Sequence, residues 1–413
     1  MITVNLKLSK AYFIAFLKSD AGKALLIALC WQFLMTLLGI IIERGLVGFS
    51  KPGADLPGFV KPGAGLPAHT LLSHTLHWDG YWFEGITHGL YSHYISAPAF
   101  YPLFPLLVLI VGTLSFHVIG TLAAGLLINT VALWLAILAL YKIALKFLDR
   151  PLLGWCVVGL FLASPAAFFL HTFYSEAVFC ALAFGAYYFA LEKRWALVGV
   201  SLGLLTASRI TAILVVALCL LEYIRNNNWE IKKTFNKSAL WFLLSPVGIL
   251  LYGASLYVAR GDFLGMVHSY KLWSYHVFNL NFVATYYHAL VTGFNGIFGM
   301  TSHSHSDILV NFILPVVALT ALLAASIIAI FRVKGRGVPL GIAGLISFIM
   351  FTLNSDVNSV HRYVLPCLVV YVAAIYVLNR FRAFPLIFAM SLFGCFILQM
   401  LLYTLFISGY FAG

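Results

Sequence analysis

The sequence predicts an all-α, polytopic membrane helix bundle, and three observations carry that reading. Of 413 residues, 62% are hydrophobic and only 9% are charged, against roughly 25% charged in ordinary soluble domains. The apolar residues gather into about a dozen runs that approach the ~20 residues needed to cross a bilayer as a helix. The basic residues cluster between those runs. In a soluble protein the net charge of +12 would suggest nucleic acid. In a membrane protein, Lys and Arg instead fix orientation and meet anionic lipid, so membrane lipid and not nucleic acid is the expected partner.

Taken in chain order, the first span is 24–43. It has no Ala-x-Ala exit and is expected to stay in the mature chain. Next come 101–119, 121–141, 152–171 and 174–191. Residues 195–224 read either as two short helices, 195–208 and 209–224, or as one long helix interrupted at Ser208 and Arg209. Irregular backbone at that depth survives only where protein or a polar cavity shields it. The remaining spans are 238–258, 308–331, 338–353, 364–379 and 385–408. The total is eleven or twelve crossings in a single domain, 1–413.

Orientation follows from the basic clusters. Lys7, Lys10, Lys18 and Lys23 precede the first span. Arg225, Lys232, Lys233 and Lys237 crowd one short connection, Arg332, Lys334 and Arg336 another, and Arg380 with Arg382 a third. Placing these inside puts 45–98, 259–307 and 354–363 outside, which makes the first outer loop long. One conflict follows: Lys142, Lys146 and Arg150 look cytoplasmic, yet two full crossings between 98 and 142 would put them outside. Either 101–141 holds an incomplete crossing, or these charges break the positive-inside rule. Within the first outer loop, 51–68 is a doubled Pro-Gly unit, which reads as an extended flap, either lid or spacer. The six cysteines lie in apolar runs without a C-x-x-C pair and read as small hydrophobes.

The residues suited to chemistry lie at the ends of the spans. Asp79 stands between Trp78 and Trp82 just before an apolar run, at the interface where aromatic rings settle. A carboxylate there can take a proton from a hydroxyl nucleophile, or it can simply cap a short helix beginning at Gly80. Glu176 follows Ser164-Pro165-Ala166 and Phe173-Tyr174-Ser175. A charge in the membrane centre costs about 2.5–3.5 kcal/mol even on the lenient scale, so Glu176 needs an interface, a polar cavity or a cation such as Arg209. A purely structural Glu–Arg pair satisfies the same requirement. The polar island Asn354 to Tyr363 carries Arg362, whose planar fork of donors suits phosphate oxygens, beside the interfacial ring of Tyr363; it also reads as a solvated turn. Lys271 is a further phosphate candidate. His74 with His77, and His303 with His305, lack the partners of a zinc site, and there is no Walker loop or dinucleotide fingerprint. No metal or cofactor is expected.

Trp78-Asp79-Gly80, Gly89-Leu90-Tyr91, Phe100-Tyr101-Pro102-Leu103-Phe104-Pro105-Leu106, Ser164-Pro165-Ala166, Tyr174-Ser175-Glu176, Ser208-Arg209 and Arg362-Tyr363 with Pro366 occur in that order. This pattern resembles the PIG-V-like mannosyltransferases, within the GT-C class of multi-spanning glycosyltransferases that use lipid-phosphate sugars. Ser164 stands where that family often has Asn, and the loop bearing the acid is longer here. The resemblance implies an inverting transferase in which Asp79 is the catalytic base. Its donor would be a polyprenyl- or dolichyl-phosphate sugar, with mannose first. The acceptor would be a hydroxyl on a glycan, glycolipid or protein. Trp78, Tyr81, Tyr101, Glu176, Arg209, Lys271, Arg362 and Tyr363 are the residues expected to contact substrate. The low charge and modest length point to a prokaryotic plasma membrane, with the site facing outside and an acceptor other than a glycosylphosphatidylinositol. The competing classes are a secondary transporter or lipid flippase, and a non-catalytic subunit that keeps the same fold.

Overall fold

The computed structural model describes residues 15–46, 70–273, 279–333, 335–353 and 356–413. The Pro-Gly stretch 51–68, Lys7, Lys10, Lys334, Asn354 and Ser355 lie outside these residues. The described residues form an all-α bundle without strands.

Helix α1 (Asp20–Ile41) starts cleanly because the Ser19 side chain accepts the Gly22 N–H and Asp20 sits in the first turn, satisfying an orphan donor and the helix dipole together. Then come α2 (Asp79–Thr87), α3 (Leu103–Leu114), α4 (Thr121–Ala144), α5 (Pro151–Ala163), α6 (Glu176–Leu191), α7 (Trp195–Thr206) and α8 (Ala212–Asn226). The second half holds α9 (Val247–Arg260), α10 (Gly265–Trp273), α11 (Phe282–Ile297), α12 (Leu314–Ile328), α13 (Gly337–Thr352), α14 (Val369–Leu378) and α15 (Phe384–Ile407). Among the described residues, five helical stretches are long and apolar enough to cross a membrane: Asp20–Gly45, Thr121–Ala144, Lys237–Arg260, His305–Val333 and Phe384–Ile407. Six shorter apolar helices complete the bundle. The 195–224 segment is two helices, α7 and α8, broken at residues 207–211.

The topological conflict resolves in favour of an incomplete crossing. Lys142 pairs with Asp20, Lys146 pairs with Glu192, and Arg336 donates to the Lys146 carbonyl. The end of α4 therefore lies with the start of α1, the end of α6 and the basic connection before α13. The start of α4 is then at the opposite end of the bundle. The start of α3 is at that same opposite end, because the Leu103 N–H donates to the Ala207 carbonyl at 3.1 Å, in the break between α7 and α8. With only 12 residues and both ends on one side, α3 does not traverse. The expected span 101–119 is thus corrected. Apolarity was read correctly there, but not direction.

The segment leading into α6 packs so closely on α4 that Phe173 fills the space that a Cβ on Gly125 would need. Asn129 of α4, fully buried, donates to the Thr172 carbonyl at 2.7 Å and thereby anchors the non-helical segment leading into α6. In α9, Gly248 lets the helix approach the Gly203 carbonyl of α7 so closely that a Cβ would sit 2.0 Å from that oxygen. Such small-residue crossings are how helices associate where lipid removes the hydrophobic drive between them. Among its described residues, segment 259–307 is largely helical. α11 turns Thr285, Ala289, Gly293 and Gly296 inward and leaves Val283, Tyr287, Leu290, Phe294 and Ile297 exposed. It packs along 305–320, with the Tyr286 hydroxyl 2.7 Å from Thr320 Oγ1, so its outward apolar stripe continues the lipid-facing surface of that long helix.

Candidate active site

Four charged side chains from four distant segments meet at the end of the bundle that holds the α7–α8 break. The Asp79 carboxylate accepts from Arg362 Nη1 at 2.9 Å. Glu176 Oε1 lies 3.1 Å from Arg362 Nε and also pairs with Arg209 Nη1. Side-chain exposure is 4% for Glu176 and 7% for Arg362, but 24% for Asp79, so the cluster is closed at its base and open at the aspartate. Buried charges of this kind require both pairing and hydrogen bonding. Here two carboxylates balance two guanidiniums.

Each charge is delivered by a local break in helical structure. Trp78, directly before Asp79, has φ +49° and ψ −119°, a conformation that costs a non-glycine residue roughly 1–3 kcal/mol and persists only when its surroundings over-determine it. The surroundings do so. The Trp78 indole N–H donates to the Tyr410 carbonyl at 3.0 Å, and its ring meets Phe411 edge-on. The Tyr174 hydroxyl accepts the Asp79 N–H at 3.0 Å and donates to the His77 carbonyl at 3.1 Å. Arg362 sits in the single turn Val360–Tyr363, entered through Ser359 at φ +62°. Glu176 opens α6, and Arg209 lies in the break before α8. Helix α5 ends at Ala163, two residues before Pro165, so the buried connection 164–175, which holds only the short 3-10 turn Ala167–Leu170, is not part of a long helix.

Aromatic rings close around the arginines. The Arg362 guanidinium lies 5.2 Å from the Phe169 ring and 5.5 Å from those of Tyr174 and Tyr363, and the Arg209 guanidinium also lies 5.5 Å from the Tyr363 ring. These distances fall within cation–π range. Beside Tyr363, an apolar groove runs between α8, α13 and the start of α14, lined by Phe179, Leu214, Ala343, Ser347, Phe351 and Cys367. It encloses about 460 Å³ including its open mouth.

Of the residues singled out in the sequence, Asp79, Glu176, Arg209, Arg362 and Tyr363 come together. Asp79 does not cap α2: the helix begins at Asp79 itself, Trp78 holds the cap position without a side-chain bond, and the carboxylate goes to Arg362. Tyr101 is 2% exposed with its hydroxyl unpartnered, and its ring lies 5.0 Å from Tyr252. Tyr81 is buried beside His77. Lys271 is exposed on α10, and among the described residues no ion pair joins it to the cluster.

Several neighbours were not foreseen. His74 pairs with His171 instead of His77: their Nε2 atoms are 3.2 Å apart, and His171 Nδ1 lies 2.6 Å from Gln32 Oε1. Gln32 donates to the Leu170 carbonyl, which orients its amide; the His171 proton therefore belongs on Nδ1 and that of His74 on Nε2. Burial holds His74 well below its ordinary value, down to about 4, with the charge of His77 adding to the effect. His361 is likewise held down to about 4 by burial, against the opposing hydrogen bond to the Ala412 carbonyl at 2.9 Å. Glu84, buried in α2 3.2 Å from His88, has its carboxyl pushed up by burial. Of these residues, His74 is singled out in the sequence with His77, and His361 lies in the polar island Asn354 to Tyr363, whereas Gln32, Glu84 and His171 carry no sequence signal; Tyr174, which holds Asp79, lies within the motif that ends in Glu176.

The profile of a family described as mannosyltransferase (PIG-V) matches residues 25–237, which include Asp79, Glu176 and Arg209. The chain is 34% identical over 128 residues to GPI mannosyltransferase 2 of Drosophila pseudoobscura pseudoobscura. That match covers 29% of this chain and spans 27% of the length of the relative.

Proposed function

This chain belongs to the PIG-V mannosyltransferase family, and from that premise we propose that it is an inverting glycosyltransferase moving mannose from a polyprenyl- or dolichyl-phosphate donor to an acceptor hydroxyl at the extracytoplasmic membrane face. The observation that carries the reading is the convergence of Asp79, Glu176, Arg209 and Arg362 at one end of an apolar bundle, next to a groove bounded by Tyr363. A lipid-linked phosphate requires both halves of that arrangement. The isoprenoid tail lies in the groove between α8 and α13, and the phosphate meets the paired guanidiniums.

Asp79, the exposed member of the cluster, faces the acceptor and removes its hydroxyl proton as the oxygen attacks the anomeric carbon. The bond from that carbon to the phosphate oxygen breaks, and its electron pair leaves with the lipid phosphate. Arg362 and Arg209 stabilise the charge that develops there, the kind of preorganised electrostatics that supplies most of many rate enhancements. Glu176 holds both arginines in place. The acceptor is a hydroxyl-bearing glycan, glycolipid or protein that enters from the aqueous side.

Arg362→Ala tests the reading. Transfer from polyprenyl-phosphate mannose should fall by at least about 100-fold, the scale for losing a principal oxyanion donor, in protein that still elutes as a folded monodisperse species. Full turnover in that variant would remove Arg362 from the chemistry. Uptake of the lipid into vesicles without a mannosylated product would favour a flippase instead.

A further inference from the structure

We propose that Asp79 is also the resident counterion of the donor-phosphate site: it occupies Arg362 until the lipid phosphate displaces it, and the displacement frees the carboxylate to act as base. This inference rests on the functional reading above, in which Arg362 receives the phosphate. In the structure the two roles compete for the same atom. Arg362 Nη1 is shared between Asp79 Oδ2 at 2.9 Å and the Gly413 carbonyl at 2.8 Å, and Glu176 flanks Nε. Phe169, Tyr174 and Tyr363 cover the guanidinium. A phosphate reaching this 7%-exposed group must take the place of an existing partner.

Exposure and pairing decide which partner leaves. Glu176 is almost fully buried and is held by both Arg209 and Arg362, so displacing it would strand a charge in an apolar interior, a change that costs several kcal/mol. Among the described residues Asp79 has one cationic partner, and a quarter of its side chain is in solvent, so it can swing outward. Charge balance points the same way. Two carboxylates and two guanidiniums sum to zero, and an incoming phosphodiester adds one negative charge. With Asp79 displaced, the phosphate restores neutrality at the arginines. When the acceptor oxygen bonds to the anomeric carbon and the carbon–phosphate oxygen bond breaks, the acceptor proton neutralises Asp79 while the second phosphate charge stays with the lipid product. The base is thereby released only when a donor is in place, which couples acceptor activation to donor binding.

Equilibrium binding of polyprenyl phosphate to protein in nanodiscs separates this proposal from the reading beneath it. Asp79→Asn and Asp79→Ser should each bind about tenfold more tightly than wild type, within the usual range of coupling between two sites, because the competitor for Arg362 is gone. Arg362→Gln should bind at least tenfold more weakly. Two differently shaped replacements at Asp79, each checked by its melting temperature, guard against a folding artefact in either. If Arg362→Gln weakens binding but neither Asp79 variant tightens it, the exchange is wrong and the donor site stands. If the wild type does not bind, or Arg362→Gln binds equally well, the donor reading fails and the exchange with it. Inorganic phosphate serves as a second probe. Tightening of both ligands assigns the exchange to the phosphate alone, and tightening of the lipid alone makes the tail part of it.

Discussion

Asp79, Glu176, Arg209 and Arg362 form a neutral cluster in which Glu176 pairs with both arginines, so removing it takes the carboxylate from Arg209 and leaves that charge in apolar surroundings. Glu176→Gln should therefore lower stability by about 3–5 kcal/mol, the usual result of breaking a buried pair, read as a fall in melting temperature. A variant that melts like wild type would mean the pair is far better solvated than its 4% exposure implies. The buried histidines add a pH dependence. His361 titrates near 4 in the fold and near 6.5 when unfolded, so the unfolded chain binds more protons between those values. Stability is fully present above about pH 6.5 and is lost as pH falls toward 4, by on the order of 3 kcal/mol for this residue. In His361→Gln, which keeps a donor for the Ala412 carbonyl, the fall in melting temperature between pH 6.5 and 4 should be visibly shallower; an unchanged slope would contradict the assignment. The acids and Arg362 were legible in the sequence because charge inside apolar runs demands a reason. Gln32, His171 and the carbonyls of Tyr410, Ala412 and Gly413 were not, because their roles come from chain crossings that leave no local pattern.

Helical elements were legible wherever length and apolarity suffice, and 121–141 and 385–408 fall within a few residues of α4 and α15. Direction was not legible at α3. A hydropathy run says that a segment is apolar, while only the Leu103–Ala207 hydrogen bond and the ion pairs of Lys142 and Lys146 show that it turns back. Cysteines placed at Ile95, 65% exposed before α3, and at Phe116, 89% exposed in the turn after it, should thus be labelled by an impermeant maleimide from the same face of a sealed vesicle. Labelling from opposite faces would restore a full crossing at 101–119. In α1, Gly39 admits the His74 ring and the Tyr403 hydroxyl, which would lie 2.3 and 2.5 Å from a Cβ. Gly39→Leu should cost about 1–3 kcal/mol by overpacking and disturb the segment that carries Asp79. A melting temperature equal to wild type would show that the contact yields.

In the whole molecule, the bundle brings a charged cluster and an apolar groove to one address, which no single element could do. The groove was not legible, because α8 and α13 are far apart in sequence and its lining residues look like any lipid-facing leucine or alanine. If it holds the donor tail, Ala343→Phe should raise KM for long-chain donors at least about tenfold and leave a short-chain, water-soluble donor unaffected. Equal effects on both donors would place the tail elsewhere. The family, in contrast, was legible from short motifs strung in order, since a transferase of this kind keeps its chemistry at span ends where polar residues stand out. The central claim is that Asp79 is the base of a lipid-phosphate-dependent mannosyl transfer, and Asp79→Asn tests it most directly, since it keeps the size and most hydrogen bonding but cannot accept the proton. In membranes with equal amounts of each protein, transfer from radiolabelled polyprenyl-phosphate mannose should proceed with wild type and fall by about 100- to 10,000-fold in the variant; equal transfer by both would contradict the account.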